Sequence, residues 1–403
     1  MLSLTDVRAA EQRIRDAVRW TPMEHERAFS ESIGAEVHLK LEQFQRTGAF
    51  KIRGAINRIA TLSAAEREPG VVTASAGNHA QGVALAASRA GVDATIVMPE
   101  YAPISKVQAT EGYGARVVLH GVDYDEAGER AHEIEHEEGR FYLHAFDDPD
   151  VMAGQGTIGL EVIEDLPSVD TVVVPIGGGG LISGVATAVK GLDDSVRVVG
   201  VQAEGAATVA DSLAAGHPVE REAVDTIADG IAVRRIGDRP FEVISERVDE
   251  VVTVSDREIA MAITRLLERT KVLAEGAGAA GLAAVLEERF DIEQDETVVP
   301  LICGGNIDPN VLTTVLMRGL VQSGRYLRIQ TVLQDRPGAL QELTAVLAGH
   351  RANIFAIRHE RTSRNVAMNS AEVELDLETR GHEHVAEIID VLEERGYPVE
   401  VLV

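Results

Sequence analysis

Residues 171–184 read TVVVPIGGGGLISG, a run of β-branched side chains that ends in four glycines and passes into an apolar stretch beginning at Leu181. A strand that is apolar on both faces is buried on both faces, as in a parallel sheet covered by helices. The same passage from strand through glycine turn to helix start recurs in VVTASAGNHAQG at 71–82 and VVPLICGGNIDP at 298–309. Such turns emerge at the carboxyl ends of parallel strands, where ligands bind. The helix starts there offer unpaired N–H groups and partial positive charge to anions. The four glycines let the backbone wrap an oxyanion with no Cβ in the way. The spacing is not a dinucleotide fingerprint, because Ile182 or Ser183 stands where the third glycine would, and no G-x-x-x-x-G-K-[ST] occurs. The loop therefore predicts a small phosphate-bearing cofactor, against the simpler reading of a turn needed only for packing.

Outward from this loop, strands are expected at 71–72, 94–98, 171–174, 197–201 and 298–302. Helices lie between them, such as 78–90 stopped by Gly91 and 181–190 stopped by Gly191. This alternation, continuing to about residue 320, predicts an α/β fold with mostly parallel sheets. After Ser323-Gly324 the pattern becomes strand, helix, two strands, helix, strand. In 371–377, Ala371, Val373, Leu375 and Leu377 alternate with Glu372, Glu374 and Asp376, which puts one face on a core and one in water. The order predicts a ferredoxin-like βαββαβ unit. The expected domains are 1–322 and 325–403, with a small lobe at about 45–145 inserted in the first.

The 403 residues carry 38 Lys+Arg against 65 Asp+Glu, a net charge of −27. Phosphate contacts run on Lys and Arg, so this balance excludes a nucleic-acid binder. Only Lys40, Lys51, Lys106, Lys190 and Lys271 are lysines, and such an acidic, lysine-poor surface resembles that of salt-adapted proteins, in which concentrated salt screens self-repulsion. The single cysteine, Cys303, permits no internal disulfide and suits a reducing compartment. The charged N-terminus resembles neither signal peptide nor anchor, and no stretch has the roughly 20 apolar residues of a membrane span. A cytoplasmic protein is expected.

Lys51 sits in Thr47-Gly48-Ala49-Phe50-Lys51-Ile52-Arg53-Gly54-Ala55, between glycines and beside an aromatic ring. A lysine that forms a Schiff base needs a desolvated amine, since an ammonium is not a nucleophile. This segment, the turn Ser75-Ala76-Gly77-Asn78-His79, the GGGGL loop and Cys303-Gly304-Gly305-Asn306 together resemble the serine/threonine dehydratases, fold type II pyridoxal-phosphate enzymes. Thr21-Pro22, Leu39-Lys40-Leu41-Glu42, Ala228-Asp229-Gly230 and Glu275-Gly276-Ala277-Gly278-Ala279 extend the resemblance over about residues 15–320. The tail, with Asp335-Arg336-Pro337-Gly338-Ala339-Leu340 and Ala352-Asn353-Ile354, resembles an ACT regulatory domain.

The resemblance implies pyridoxal 5'-phosphate as cofactor and β-elimination of L-threonine, and more slowly L-serine, to a 2-oxo acid and ammonia. Lys51 would carry the cofactor and take the substrate α-proton, Phe50 would pack beside the ring, and Asn78 would bind its hydroxyl. Gly177, Gly178, Gly179, Gly180 and Leu181 would cradle the phosphate, and Cys303 would face the ring nitrogen. Ser75, Ala76, Gly77, Asn78 and His79 would receive the substrate carboxylate. An amino-acid effector would meet Asp335, Gly338, Ala339, Leu340, Asn353 and Ile354, in a homo-oligomer. The family's usual serine before Phe-Lys is Ala49 here. Where serine racemases place an opposite-face base stands Ala76, which favours elimination over racemisation. A serine or hydroxyaspartate racemase/dehydratase and a non-catalytic amino-acid sensor are the alternatives.

Two metal motifs are weighed and set aside. His132-Glu133-Ile134-Glu135-His136 fits H-E-x-x-H, but in an acid-loaded helix such matches arise cheaply. Near Glu204, the resemblance implies a cation site of an acid, a backbone carbonyl and a second acid two residues on, but with Thr208 at the carbonyl position the second acid would fall at 210, which is Ala210. No metal is expected.

Overall fold

Strand Thr171–Pro175 is buried at every position and lies inside a six-stranded sheet. In spatial order the strands are Met23–His25, Glu36–Lys40, Thr297–Pro300, Thr171–Pro175, Arg197–Ala203 and Glu250–Val254. All neighbours run parallel except the edge strand Met23–His25, which pairs antiparallel with Glu36–Lys40. A second sheet is wholly parallel, in the order Arg116–Leu119, Ala94–Met98, Val71–Ala74, Phe141–Tyr142. The structure, a computed structural model, describes residues 1–362 and 367–403. The chain forms two compact units, Met1–Asp308 and Pro309–Val403, so helix Pro309–Gln322 belongs with the second.

The helix expected at 78–90 runs Asn78–Ala90, and Gly91 ends it at φ 66°. The next expectation needs correcting. Helix Gly180–Leu192 continues through Gly191, where a Cβ would lie 2.9 Å from that of Leu4. That glycine serves close packing of helix Leu4–Ile14 and does not stop the helix. The acidic helix Tyr124–Glu138 buries Ala127, Ala131 and Ile134 against Val72, Ala74 and Val97.

Beneath the larger sheet lies an ionic cluster built from the Thr21 and Leu39-to-Glu42 motifs. Arg53, fully buried, donates to Glu42 at 2.8 and 2.9 Å and to Glu161 at 2.6 and 3.0 Å. Lys40, equally buried, contacts Glu161 at 2.8 Å, Asp165 at 3.3 Å and the Thr21 carbonyl at 2.8 Å. Burial opposes the charge of Arg53, but Glu42 and Glu161 more than offset it and hold the guanidinium protonated.

In the second unit, the order is strand Tyr326–Gln334, helix Ala339–Gly349, strands Asn353–Glu360 and Ser370–Glu378, helix His382–Glu394 and strand Val399–Val401. The antiparallel sheet has Tyr326–Gln334 paired with Ser370–Glu378 on one side and Val399–Val401 on the other, with Asn353–Glu360 at one edge. Ala371, Val373, Leu375 and Leu377 are all fully buried, as their period of two requires. Among the described residues, no helix is long and apolar enough to cross a membrane.

Candidate active site

The adjacent parallel strands Thr171–Pro175 and Thr297–Pro300 deliver the glycine loop and the Cys303-to-Asn306 turn from the same end of the larger sheet. The Lys51 segment is laid along that turn. The Phe50 N–H donates to the Cys303 carbonyl at 3.1 Å, and the Gly305 N–H donates to the Gly48 carbonyl at 2.9 Å. A Cβ on Gly304 would lie 2.3 Å from Glu275 Oε1, so only glycine lets the backbone pass there.

Lys51 is thereby fixed at the N-cap of helix Ile52–Thr61, with Nζ donating to the Ala145 carbonyl at 3.3 Å and lying 5.2 Å from the centre of the Phe50 ring. Among the described residues no carboxylate forms an ion pair with it. Burial lowers its pKa to about 8, against the smaller opposing field of Glu275. Burial, helped by the Glu275 charge, pushes the Cys303 thiol well above its ordinary range, so it stays protonated, with Sγ 3.4 Å from the Ala277 carbonyl.

Asn78 opens helix Asn78–Ala90 and joins a chain of amides and a carboxyl. Its Nδ2 donates to Glu275 Oε1 at 2.6 Å, and its Oδ1 accepts from Asn306 Nδ2 at 2.8 Å. Asn306 Nδ2 also donates to the Thr47 carbonyl at 2.7 Å. An amide nitrogen carries two hydrogens, so Asn78 keeps one donor for a ligand while its orientation is locked. Glu275 and Asn306 are the site residues to which the sequence reading gave no role. Their signal was a polar residue set beside glycines in a motif with no surface pattern. Burial raises the pKa of Glu275, and the Asn78 bond opposes that rise.

In the 75–79 turn, the Gly77 N–H donates to Ser75 Oγ at 3.1 Å, and Ser75, Ala76 and Gly77 are half-buried. His79 differs from its neighbours. It is buried, Nε2–H donates to the Leu143 carbonyl at 3.1 Å, and burial together with Lys51 lowers its pKa to about 3. Its ring is neutral, and Nδ1 has no hydrogen-bond partner among the described residues.

The glycines at 177–180 have a packing reason of their own. A Cβ at Gly178 would lie 2.4 Å from the Phe146 ring, one at Gly180 would lie 2.8 Å from the Phe146 carbonyl, and Gly179 adopts φ +92°. Phe146 follows Ala145, the partner of Lys51, so one segment touches both the amine and the loop. These residues fit the cofactor that the resemblance implies. A desolvated amine suits covalent attachment, a carboxylate-free helix start suits a phosphate, Asn78 has a spare donor, and Cys303 is neutral.

In the second unit, Asn353 and Ile354 line an open groove of about 440 Å³ together with Gln341, Thr344 and Ala348. Asp335, Gly338, Ala339 and Leu340 are not among its lining residues. Asp335 instead pairs with Arg361 at 2.8 Å, and Gly338 caps helix Ala339–Gly349 at φ 90°.

The sequence profile of the family described as "Pyridoxal-phosphate dependent enzyme" matches residues 14–304. The chain is 49% identical over 402 residues to an L-threonine ammonia-lyase of Thermotoga maritima, covering 100% of both. Among solved structures, the processed form of threonine deaminase isoform 2 from Solanum lycopersicum aligns with a TM-score of 0.76 and 39% identity, over 79% of this chain and 87% of that one. Maize serine racemase aligns with a TM-score of 0.75 and 36% identity, over 80% and 98%. A lysine amine with no carboxylate partner among the described residues, joined to a glycine loop through the Ala145–Phe146 segment, is thus accounted for by descent as well as by chemistry, and the chain belongs to the fold type II pyridoxal-phosphate dependent enzymes.

Proposed function

We propose that the protein is an L-threonine ammonia-lyase that eliminates the β-hydroxyl of L-threonine, and more slowly that of L-serine, yielding a 2-oxo acid and ammonia. The observation that carries this reading is Lys51, a desolvated amine whose pKa of about 8 leaves a reactive neutral fraction near neutral pH. Lys51 would hold pyridoxal phosphate, 177–181 its phosphate, Asn78 its hydroxyl and Cys303 the side of its ring nitrogen, with Phe50 beside the ring. The bound cofactor supplies an electron sink for negative charge at the substrate α-carbon.

The rest is work for this chain's side chains. Lys51 Nζ, freed when the substrate amine takes its place on the cofactor, would take the α-proton. The N–H groups at the start of helix Asn78–Ala90 bind the substrate carboxylate, oriented by the Ser75 and Gly77 contact. Glu275 and Asn306 hold Asn78 in one rotamer. Cys303, kept neutral, brings no negative charge to the ring nitrogen, which weakens the sink and favours prompt loss of the leaving group. Ala76 offers no proton on the opposite face, which favours elimination over racemisation. The purified protein is expected to be yellow and to form 2-oxobutyrate from L-threonine, while serine recovered from the reaction stays L. Appreciable D-serine would replace elimination by racemisation as the reading.

The C-terminal unit is read as an ACT domain that senses an amino acid such as isoleucine, and the groove at Asn353 and Ile354 supports this. Coupling of about 1–3 kcal/mol would shift threonine affinity some 5–150-fold on adding the effector. The protein is read as a cytoplasmic homo-oligomer. Its −27 balance is read as adaptation to salt, with activity and melting temperature rising well beyond ordinary ionic strength.

A further inference from the structure

The edge of the larger sheet carries a group of side chains that the chemistry above does not use. Glu36 and His38 are two apart on strand Glu36–Lys40 and so share a face. The antiparallel register sets His25, the last residue of Met23–His25, directly opposite His38. His25 Nε2 lies 2.9 Å from Glu36 Oε2, and the two imidazole rings are 4.9 Å apart between centroids. One nitrogen from each histidine and one Glu36 oxygen all lie within 4.8 Å of one another. His25 and Glu36 are about half exposed, so an ion can reach them.

Two imidazoles and a carboxylate form a donor set matched to borderline divalent transition metals, which bind these groups at about 2.0–2.2 Å with the remaining position open to water. The ligands come from two strands whose backbones are paired in register, so the fold holds the three side chains together whether or not an ion is bound. We propose that His25, Glu36 and His38 form a site for a zinc-class divalent cation that fastens the edge strand Met23–His25 to its neighbour. The H-E-x-x-H helix is the weaker candidate. Among the described residues only His25, Glu36 and His38 bring three ligand atoms together, whereas His132 is stacked on Tyr142 at 4.1 Å. His25 Nε2 also meets Ser30 Oγ at 3.2 Å, a contact that the ion would replace.

The test uses chelator-treated holoenzyme titrated with Zn²⁺ by calorimetry, with melting temperature followed in parallel. The expected result is one Zn²⁺ per chain and a melting temperature that climbs with free Zn²⁺ by mass action. Affinity should fall by more than about tenfold in His25→Ala and in His38→Ala, since even outer-shell changes remove about 10–100-fold. Retained threonine deamination shows that each variant is folded, and His25→Gln and His38→Gln stand in for any that is not. The double variant His132→Ala/His136→Ala should bind as the parent does. Unchanged Zn²⁺ affinity in His25→Ala, loss of binding in the His132/His136 variant, or no saturable binding by the parent would each overturn the proposal.

Discussion

Two lysines of the N-terminal unit, Lys40 fully buried and Lys51 half-buried, are treated by the fold in opposite ways. Lys40 has Glu161 and Asp165 within 3.3 Å, inside a cluster completed by Arg53, Glu42 and Thr21. Lys51, eleven residues along the chain, has a backbone carbonyl at 3.3 Å and no ion-pair partner among the described residues. Burying a charge is expensive unless it is paired. The first lysine therefore serves as a fixed cation that ties segments together, and the second gives up part of its charge and becomes a nucleophile. One residue type yields a brace or a reagent according to whether the fold brings it a carboxylate.

The largest expected effect lies at the reagent. Lys51→Ala should lower threonine deamination by at least the roughly 10²–10⁴-fold that a positioned base contributes, and should leave the protein colourless. Its denaturant midpoint should stay near the parent's under cofactor-free conditions. The brace should answer in reverse. Glu161→Ala leaves Arg53 and Lys40 short of a carboxylate and should destabilise the fold by about 3–5 kcal/mol in equilibrium unfolding, while the folded fraction keeps its turnover.

Asn78→Ala removes a donor from the site and leaves Glu275 without its shortest partner. A charge-assisted bond of about 1.5–3 kcal/mol predicts roughly a ten- to hundredfold loss in kcat/KM. The depressed pKa of Lys51 gives a smaller signature. Only the neutral amine attacks an aldehyde, and its fraction rises as pH climbs through about 8, so apoprotein should capture pyridoxal phosphate about tenfold faster at pH 9 than at pH 7. A rate flat across that range would overturn the depressed pKa of Lys51. The smallest effect is expected at the rim of the brace, where Thr21→Val deletes the 2.5 Å bond to Glu42 and should cost about 1 kcal/mol with activity unchanged.

Much of this was readable in the chain itself. Runs of β-branched residues closed by glycine turns mark strands in a parallel sheet because burial on both faces requires continuous apolarity, and the strict alternation at 371–377 marks a half-buried antiparallel one. A glycine reads less surely, since Gly91 ends a helix through φ 66° and Gly191 sits inside one where Leu4 crowds it. In the sequence the two look alike.

Local composition thus determined the fold class and the glycine loop, because periodicity and backbone freedom are properties of neighbouring residues, while Lys51 stood out only through the resemblance carried by several motifs together. Tertiary structure alone decided which partners meet. Glu275 reaches Asn78 across 197 positions, Glu161 reaches Arg53 across 108, and His25 faces His38 through a strand register. Charge state follows those meetings, since desolvation and Coulomb fields depend on distance in space and not along the chain.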